Sequence, residues 1–358
     1  MEQRIIGFDL ARAYAIFGMF IVNFNIVFGS HTDMSLLGQF LSLFSGNSST
    51  VFVILAGVGI ALMTNRTEYT SLEKIKLRST VIKRACFLFI IGLLLSIWWP
   101  ADILHFYGGY MLIAALLLSL DKKYYLVSAI IAIVVFHVLL FFVPYETGWD
   151  FETLEYKDLY TLNGFVRNYF YNGWNSIFPW VAYFLLGMFL GRLNWRYPKT
   201  QRKMFFIGLA LYSTIGILQF TSQRISISDE LKFFINADYL PPFLPFILST
   251  SGFGLMLISG FMFLGNKFGD KQCVKDFAST GQMTLTHYIS HVTIGILSFA
   301  FLTDKNYTGY ITEQVPTRPF VILLFSVAYF VISFYLSKVW VRHYKNGPLE
   351  TLMRKISG

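Results

Sequence analysis

The feature that most limits what this chain can fold into is a series of ten long runs without Asp, Glu, Lys or Arg, at residues 13–30, 34–65, 85–101, 103–120, 124–145, 168–191, 204–223, 239–266, 277–303 and 319–337. A helix needs ~20 mostly apolar residues to cross ~30 Å of hydrocarbon, and these runs have about that length or more. Within a bilayer every backbone N–H and C=O must find its partner inside the chain, which leaves helices or closed barrels. A porin-like barrel shows short segments of alternating polarity, whereas these runs are continuous. The expected fold is therefore all-α: a polytopic transmembrane helical bundle of about ten spans, with one integral-membrane domain over residues 1–358.

Charge placement tests that expectation independently. Only 14% of residues are charged, against roughly 25% in an average soluble domain. The net charge of +9 invites a nucleic-acid reading, but the basic residues punctuate apolar runs instead of clustering on a wet surface, so nucleic acid is excluded as a partner. Ten spans with both termini cytoplasmic place 23 of the 29 basic residues on the inner side, giving +15 inside and −6 outside. Cys86 and Cys273 then face the reducing side, are too few for a disulfide framework, and read as packing residues. The first span has no small-residue cleavage site after it and carries Asp9 and Arg12 at its start, so it reads as an uncleaved anchor. The longest wet stretch, 144–167, is a tyrosine-rich acidic outer loop, and no internal repeat of the transporter kind stands out.

Polar side chains inside apolar runs are costly and mark candidate sites. Asp9 and Arg12 lie three apart at the inner end of the first span, and Asn23 follows eleven residues beyond Arg12. Eleven helical steps return to within about 20° and climb ~16 Å, so the three form one polar stripe. An interfacial ion pair and a helix-bridging amide account for it without function. His31, in the outer segment Gly29-Ser30-His31-Thr32-Asp33, is a candidate general base near neutral pH or a solvated loop residue. Asp102, in a short outer hairpin, either orients an imidazole or caps the helix that follows. His287 and His291 stand four apart with Tyr288 between them, on a face that lines a polar cavity or bonds across the bundle; no metal-ligand spacing accompanies them, so no metal is expected. His137 and His343 receive no role. The tail breaks at Gly347 and restarts after Pro348, so 345–358 reads as a short cytoplasmic interfacial helix whose basic groups meet anionic lipid or the phosphates of a nucleotide-containing ligand.

Five stretches, in order along the chain, resemble the YeiB-like bacterial membrane proteins. They are Arg4-Ile5-Ile6-Gly7-Phe8-Asp9-Leu10-Ala11-Arg12 through Val22-Asn23-Phe24; Phe52-Val53-Ile54-Leu55-Ala56-Gly57-Val58-Gly59; Ile97-Trp98-Trp99-Pro100-Ala101-Asp102-Ile103-Leu104 with Tyr107; Gly281-Gln282-Met283-Thr284-Leu285-Thr286-His287-Tyr288; and Trp340 through Gly347-Pro348-Leu349-Glu350. That family is distantly similar to the heparan-α-glucosaminide N-acetyltransferases and other transmembrane acyltransferases. The resemblance implies transfer of an acetyl or other acyl group from cytosolic acyl-CoA to an extracytoplasmic hydroxyl or amine on a glycan or small molecule. By position, it implies Arg12 as the motif arginine, Asn23 as the active-site asparagine and His31 as the catalytic histidine; the polar residues read above add Asp102 as a catalytic partner of His31, and Asp9, Arg12, His287, His291 and Tyr288 as substrate-binding residues. The two histidines stand where the family more often has amides. Arg78, Lys83, Arg84, Arg342 and Lys345 would meet the phosphates of acetyl-CoA. Membrane lipids, acyl-CoA, an acceptor still to be named and a possible second copy of the chain are the expected partners, in the bacterial cytoplasmic (inner) membrane. Two alternatives share these residues: a transporter or lipid-handling protein in which the stripe lines a solute path, and a non-catalytic scaffold.

Overall fold

A computed structural model describes residues 5–30, 33–64, 69–236, 238–307, 309 and 315–358. The apolar runs form helices. In chain order these are α1 (Ile6–Phe28), α2 (Leu36–Ser42), α3 (Asn47–Met63), α4 (Ser71–Ser96), α5 (Leu104–Leu117) and α6 (Lys122–Leu139), then α7 (Leu162–Arg167), α8 (Ile177–Gly191), α9 (Pro198–Ser222), α10 (Asp229–Ile235) and α11 (Leu244–Phe268). The last part of the chain supplies α12 (Gln272–Gly281), α13 (Thr284–Ser290), α14 (Ile296–Thr303), α15 (Pro319–His343) and α16 (Pro348–Ser357). The protein is all-α apart from one short antiparallel strand pair, β1 (Trp149–Asp150) and β2 (Glu155–Tyr156).

Among the described residues eight helices are long and apolar enough to cross a membrane, and nine if the pair Leu162–Asn172 and Ile177–Gly191, bent by 44°, is one span. The protein is multi-pass. The run at 103–120 yields only α5, 14 residues long and about 21 Å, short of a full crossing. Its burial explains this: Phe106 and Tyr110 are fully enclosed and Leu104, Tyr107 and Met111 nearly so, and a helix wrapped in protein has no hydrocarbon thickness to match. Cys86 and Cys273 correct a sequence expectation, since both are exposed instead of packed. Two π-helical turns, Asn168–Asn172 and His291–Gly295, interrupt the apolar helices.

The chain gathers into two compact units. The first comprises Met1–Phe52, Asn194–Ser228 and Ile247–Leu352, the second Val53–Leu193, Asp229–Phe246 and Met353–Gly358. In the first, α1 packs against α12 and α15. Gly281 makes the first contact possible: a Cβ there would collide with the Asp9 carbonyl oxygen and sit 3.1 Å from Ala13 N. In the second, α4 pairs with α5 and α6 with α8. The wet stretch at 144–167 folds as a cap on this unit. Asn172 Nδ2 donates to the Tyr145 and Thr147 carbonyls at 2.7 and 2.8 Å, and Arg167 holds Asp158 at 2.6 Å. The Asp150 carboxylate, 2.9 Å from Lys157 Nζ, lies below the usual carboxylate range because Lys157 stabilises its charged form.

Candidate functional site

Two polar constellations stand out, one in each unit. In the first unit Arg12 Nη1 lies 2.6 Å from Asp9 Oδ1, as the i, i+3 spacing on α1 requires, with Asp9 buried and Arg12 partly so. Higher on α1, Asn23 Nδ2 lies 2.8 Å from His291 Nε2. The tautomer follows from the other ring nitrogen. His291 Nδ1 is 3.1 Å from the His287 carbonyl oxygen, which only accepts, so Nδ1 carries the proton and Nε2 accepts from the Asn23 amide. One of the two Asn23 amide hydrogens is thereby spent. The His291 ring is fully buried, 5.0 Å from Phe20 and 5.3 Å from Tyr288 by centroids. It opens the π-helical turn, a distortion that re-aims side chains and recurs at functional sites.

His287, also buried, is fixed through α15. The Ser337 hydroxyl donates to the Ser333 carbonyl at 2.8 Å, so His287 Nε2–H donates to Ser337 Oγ at 2.7 Å and Nδ1 keeps the lone pair. The Asp9, Arg12 and Asn23 stripe thus divides into an ion pair and an amide–imidazole pair, and the two histidines serve as hydrogen-bonded wall residues with both Nε2 atoms engaged. Among the described residues no group of His, Cys, Asp or Glu has the geometry to hold a metal.

The same unit explains the Gly-Pro-Leu-Glu tail. Glu350 Oε1 accepts from Leu285 N at 2.7 Å and Thr286 N at 3.1 Å, and Oε2 from the Thr286 hydroxyl at 2.6 Å, so a carboxylate 65 residues away caps α13. Those N–H groups are the orphan donors of a first helical turn, and the helix dipole favours an anion there. Glu350→Ala is expected to cost about 2–3 kcal/mol, the worth of hydrogen bonds to a charged acceptor. The check is a lower melting temperature in detergent, with Glu350→Gln recovering part of the loss.

The second unit holds the arrangement with the clearest chemistry. Asp102, fully buried, turns one oxygen on His105 twice: Oδ2 accepts from His105 N at 3.1 Å and from His105 Nδ1 at 2.9 Å. Because a carboxylate only accepts, Nδ1 carries a proton, and in the neutral imidazole Nε2 keeps its lone pair. The ring lies 3.9 Å from Phe106 by centroids, and Tyr169 stacks on Phe106 at 5.7 Å. Gly92 on α4 permits the close approach: a Cβ there would collide with His105 N and lie 2.6 Å from Asp102 Oδ2. Trp99, three residues before Asp102 and almost fully buried, has an indole N–H without a partner among the described residues.

Asp102 therefore both caps a helix start and orients an imidazole, and the imidazole is His105, which sequence reasoning passed over. The available signal was the i, i+3 spacing of a carboxylate and a histidine at the head of an apolar run. His31 lies outside the described residues. Arg78 and Lys83 are exposed on α4, while Arg84 is half-buried, with Nε 3.2 Å from Ser357 Oγ and Nη1 3.0 Å from Met63 Sδ, so its guanidinium is already engaged. Arg342 and Lys345 are exposed at the end of α15 and just beyond it.

Two family models match the chain. One, described as heparan-alpha-glucosaminide N-acetyltransferase, catalytic, covers residues 4–228; the other, described as a protein of unknown function (DUF418), covers residues 189–358. No curated protein matches. Together the two cover the five stretches on which the YeiB-like resemblance rests, and the first includes both Asn23 and the Asp102–His105 pair.

Proposed function

The chain belongs to the family of the heparan-alpha-glucosaminide N-acetyltransferase catalytic region, whose model spans well over half of it, and from that membership we propose that it is a transmembrane acyltransferase of bacterial cytoplasmic membranes. Its donor is a cytosolic acyl-CoA, acetyl-CoA first, and its acceptor an extracytoplasmic hydroxyl or amine on a glycan or small molecule. The observation that carries this reading is the buried Asp102–His105 dyad. A carboxylate holds one ring nitrogen protonated and leaves the other as a base, the arrangement acyl transfer uses to take a proton from a weak nucleophile.

In the proposed step His105 Nε2 accepts the acceptor's O–H or N–H proton as its oxygen or nitrogen bonds to the thioester carbonyl carbon. The tetrahedral intermediate collapses with cleavage of the C–S bond, and the leaving coenzyme A thiolate takes up the proton. Asp102 stabilises the transient imidazolium and keeps the ring from turning. An N–H aimed at the developing oxyanion contributes ~3 kcal/mol in acyl-transfer sites, and the Trp99 indole is a donor of the right kind. The exposed Arg78 and Lys83 are assigned to the donor's phosphates. Arg342 and Lys345 are open to any cytosolic anion.

The test uses the full chain reconstituted in liposomes, with labelled acetyl-CoA and an oligosaccharide ending in glucosamine as the acceptor probe. Labelled acetyl on the acceptor, with one coenzyme A thiol released per acetyl moved, is the expected outcome. Folded protein that neither binds acetyl-CoA nor releases thiol would sink the proposal. Uptake of the acceptor without thiol release would establish the transporter reading in its place.

A further inference from the structure

A second feature of the first unit is independent of the dyad. α9 and the Ile247–Phe268 part of α11 cross tightly at Gly208 and Gly252, where a Cβ on either glycine would lie within 2.5–2.7 Å of the other's carbonyl oxygen. From there toward Pro198 and Lys267 the helices part and enclose a groove of about 670 Å³, within the range that accommodates a drug-sized ligand. Its two ends differ in chemistry. Arg196, Arg202 and Lys267 stand at the wide end, all exposed and none paired with a carboxylate among the described residues. Phe206 and Phe263 line the wall and remain 61% and 55% exposed.

This groove is built, since the Trp195 carbonyl accepts from Gln201 Nε2 at 2.7 Å and from Asn266 Nδ2 at 3.3 Å, tying the connecting segment to both helices. Within it lies Ser259, 2% exposed, whose hydroxyl has no hydrogen-bond partner among the described residues. That is unusual for a serine in an apolar helix, where the hydroxyl ordinarily returns to the i−4 carbonyl, as Ser326 does here to Ile322. Beside it, a Cβ on Gly260 would meet nothing within 4 Å.

We propose that this groove is a binding site for one anionic phospholipid. The phosphate sits among Arg196, Arg202 and Lys267, an ester carbonyl or glycerol oxygen meets the Ser259 hydroxyl, and an acyl chain runs along Phe206 and Phe263 toward the Gly208–Gly252 crossing. Charge complementarity selects this occupant: three cations without a carboxylate partner among the described residues, Lys267 resting only over the Phe263 and Phe268 rings, sit at the end of two membrane-spanning helices that the excess of basic residues assigns to the cytoplasmic face, where anionic headgroups are drawn to basic pockets between helices. A neutral lipid would leave the cations unmatched, and a soluble anion would leave the aromatic wall uncovered.

The experiment is a native mass-spectrometric titration of the detergent-purified full chain with phosphatidylglycerol and phosphatidylcholine, with arms adding inorganic phosphate and free coenzyme A. One equivalent of phosphatidylglycerol is expected to bind at least about tenfold more tightly than phosphatidylcholine, and about 100-fold more weakly to an Arg196→Ala, Arg202→Ala, Lys267→Ala variant, at roughly 1 kcal/mol per cation. Gly260→Trp fills the open space and should abolish the bound equivalent at an unchanged melting temperature. Equal binding of the two lipids, or phosphatidylglycerol retained by both variants, would overturn the proposal. So would displacement by phosphate or coenzyme A at concentrations near the lipid's own, which would assign the groove to a soluble anion.

Discussion

His105→Ala is expected to lower the turnover number for acetyl transfer by about 10²- to 10⁴-fold, the usual worth of a positioned general base, while acetyl-CoA binding by titration calorimetry stays within about twofold. The asymmetry follows from the site: His105 is buried and held by Asp102 through Nδ1, apart from the exposed Arg78 and Lys83 assigned to the donor's phosphates. Asp102→Asn separates the two roles of Asp102. An amide oxygen still accepts from His105 N and preserves the helix start, but the anion that stabilises an imidazolium is gone. Turnover should then fall by a similar factor with the melting temperature little changed. If Asp102 is only a cap, the asparagine variant keeps full turnover. His31→Ala is the necessary control. A loss confined to that variant would move the base to His31 and reduce the dyad to a structural pair.

How far the sequence went can be read from these residues. The helices were legible because hydrocarbon leaves the backbone no other partner than itself, so uncharged length alone marked them. Where protein instead of lipid surrounds a helix, that signal fails: α5 falls short of a crossing, and nothing in 103–120 announces it. The π-helical turns were equally hidden, since a single inserted residue leaves composition untouched. Asp9 with Arg12 was visible because both are on one helix at i, i+3. Asn23 with His291, 268 residues apart, was not, because that contact exists only once α1 and the turn at His291 are packed. The same holds for Glu350, whose carboxylate caps a helix it precedes nowhere in sequence. His105 is the instructive miss. A cap uses one lone pair of the Asp102 carboxylate and leaves another for a second donor, and one residue, His105, supplies both its backbone N–H and its Nδ1–H.

Gly92→Val is the variant that asks whether the dyad's geometry, beyond its composition, carries activity. Gly92 makes no hydrogen bond to substrate or dyad through a side chain; it matters because α4 presses its backbone against the start of α5. A Cβ at this position meets His105 N and the Asp102 carboxylate, the two groups that fix the imidazole, and the Cα of His105 is 2.8 Å away. Two of these three atoms are backbone and the third belongs to a fully buried side chain, so no flexible chain end can yield. Either α4 moves off α5 or Asp102 is pushed from His105. Overpacking of this kind costs about 1–3 kcal/mol of stability, and a displacement near 1 Å at a reacting group costs about 10²-fold in rate. The expected result is a folded protein with a modestly lower melting temperature, intact acetyl-CoA binding and turnover reduced about 100-fold. Gly92→Ala should show the same pattern in milder form, since it adds the colliding Cβ without the branches. Normal turnover in the valine variant at a reduced melting temperature would mean that the helices separate without disturbing the reacting group, and the base would have to be sought elsewhere in the chain.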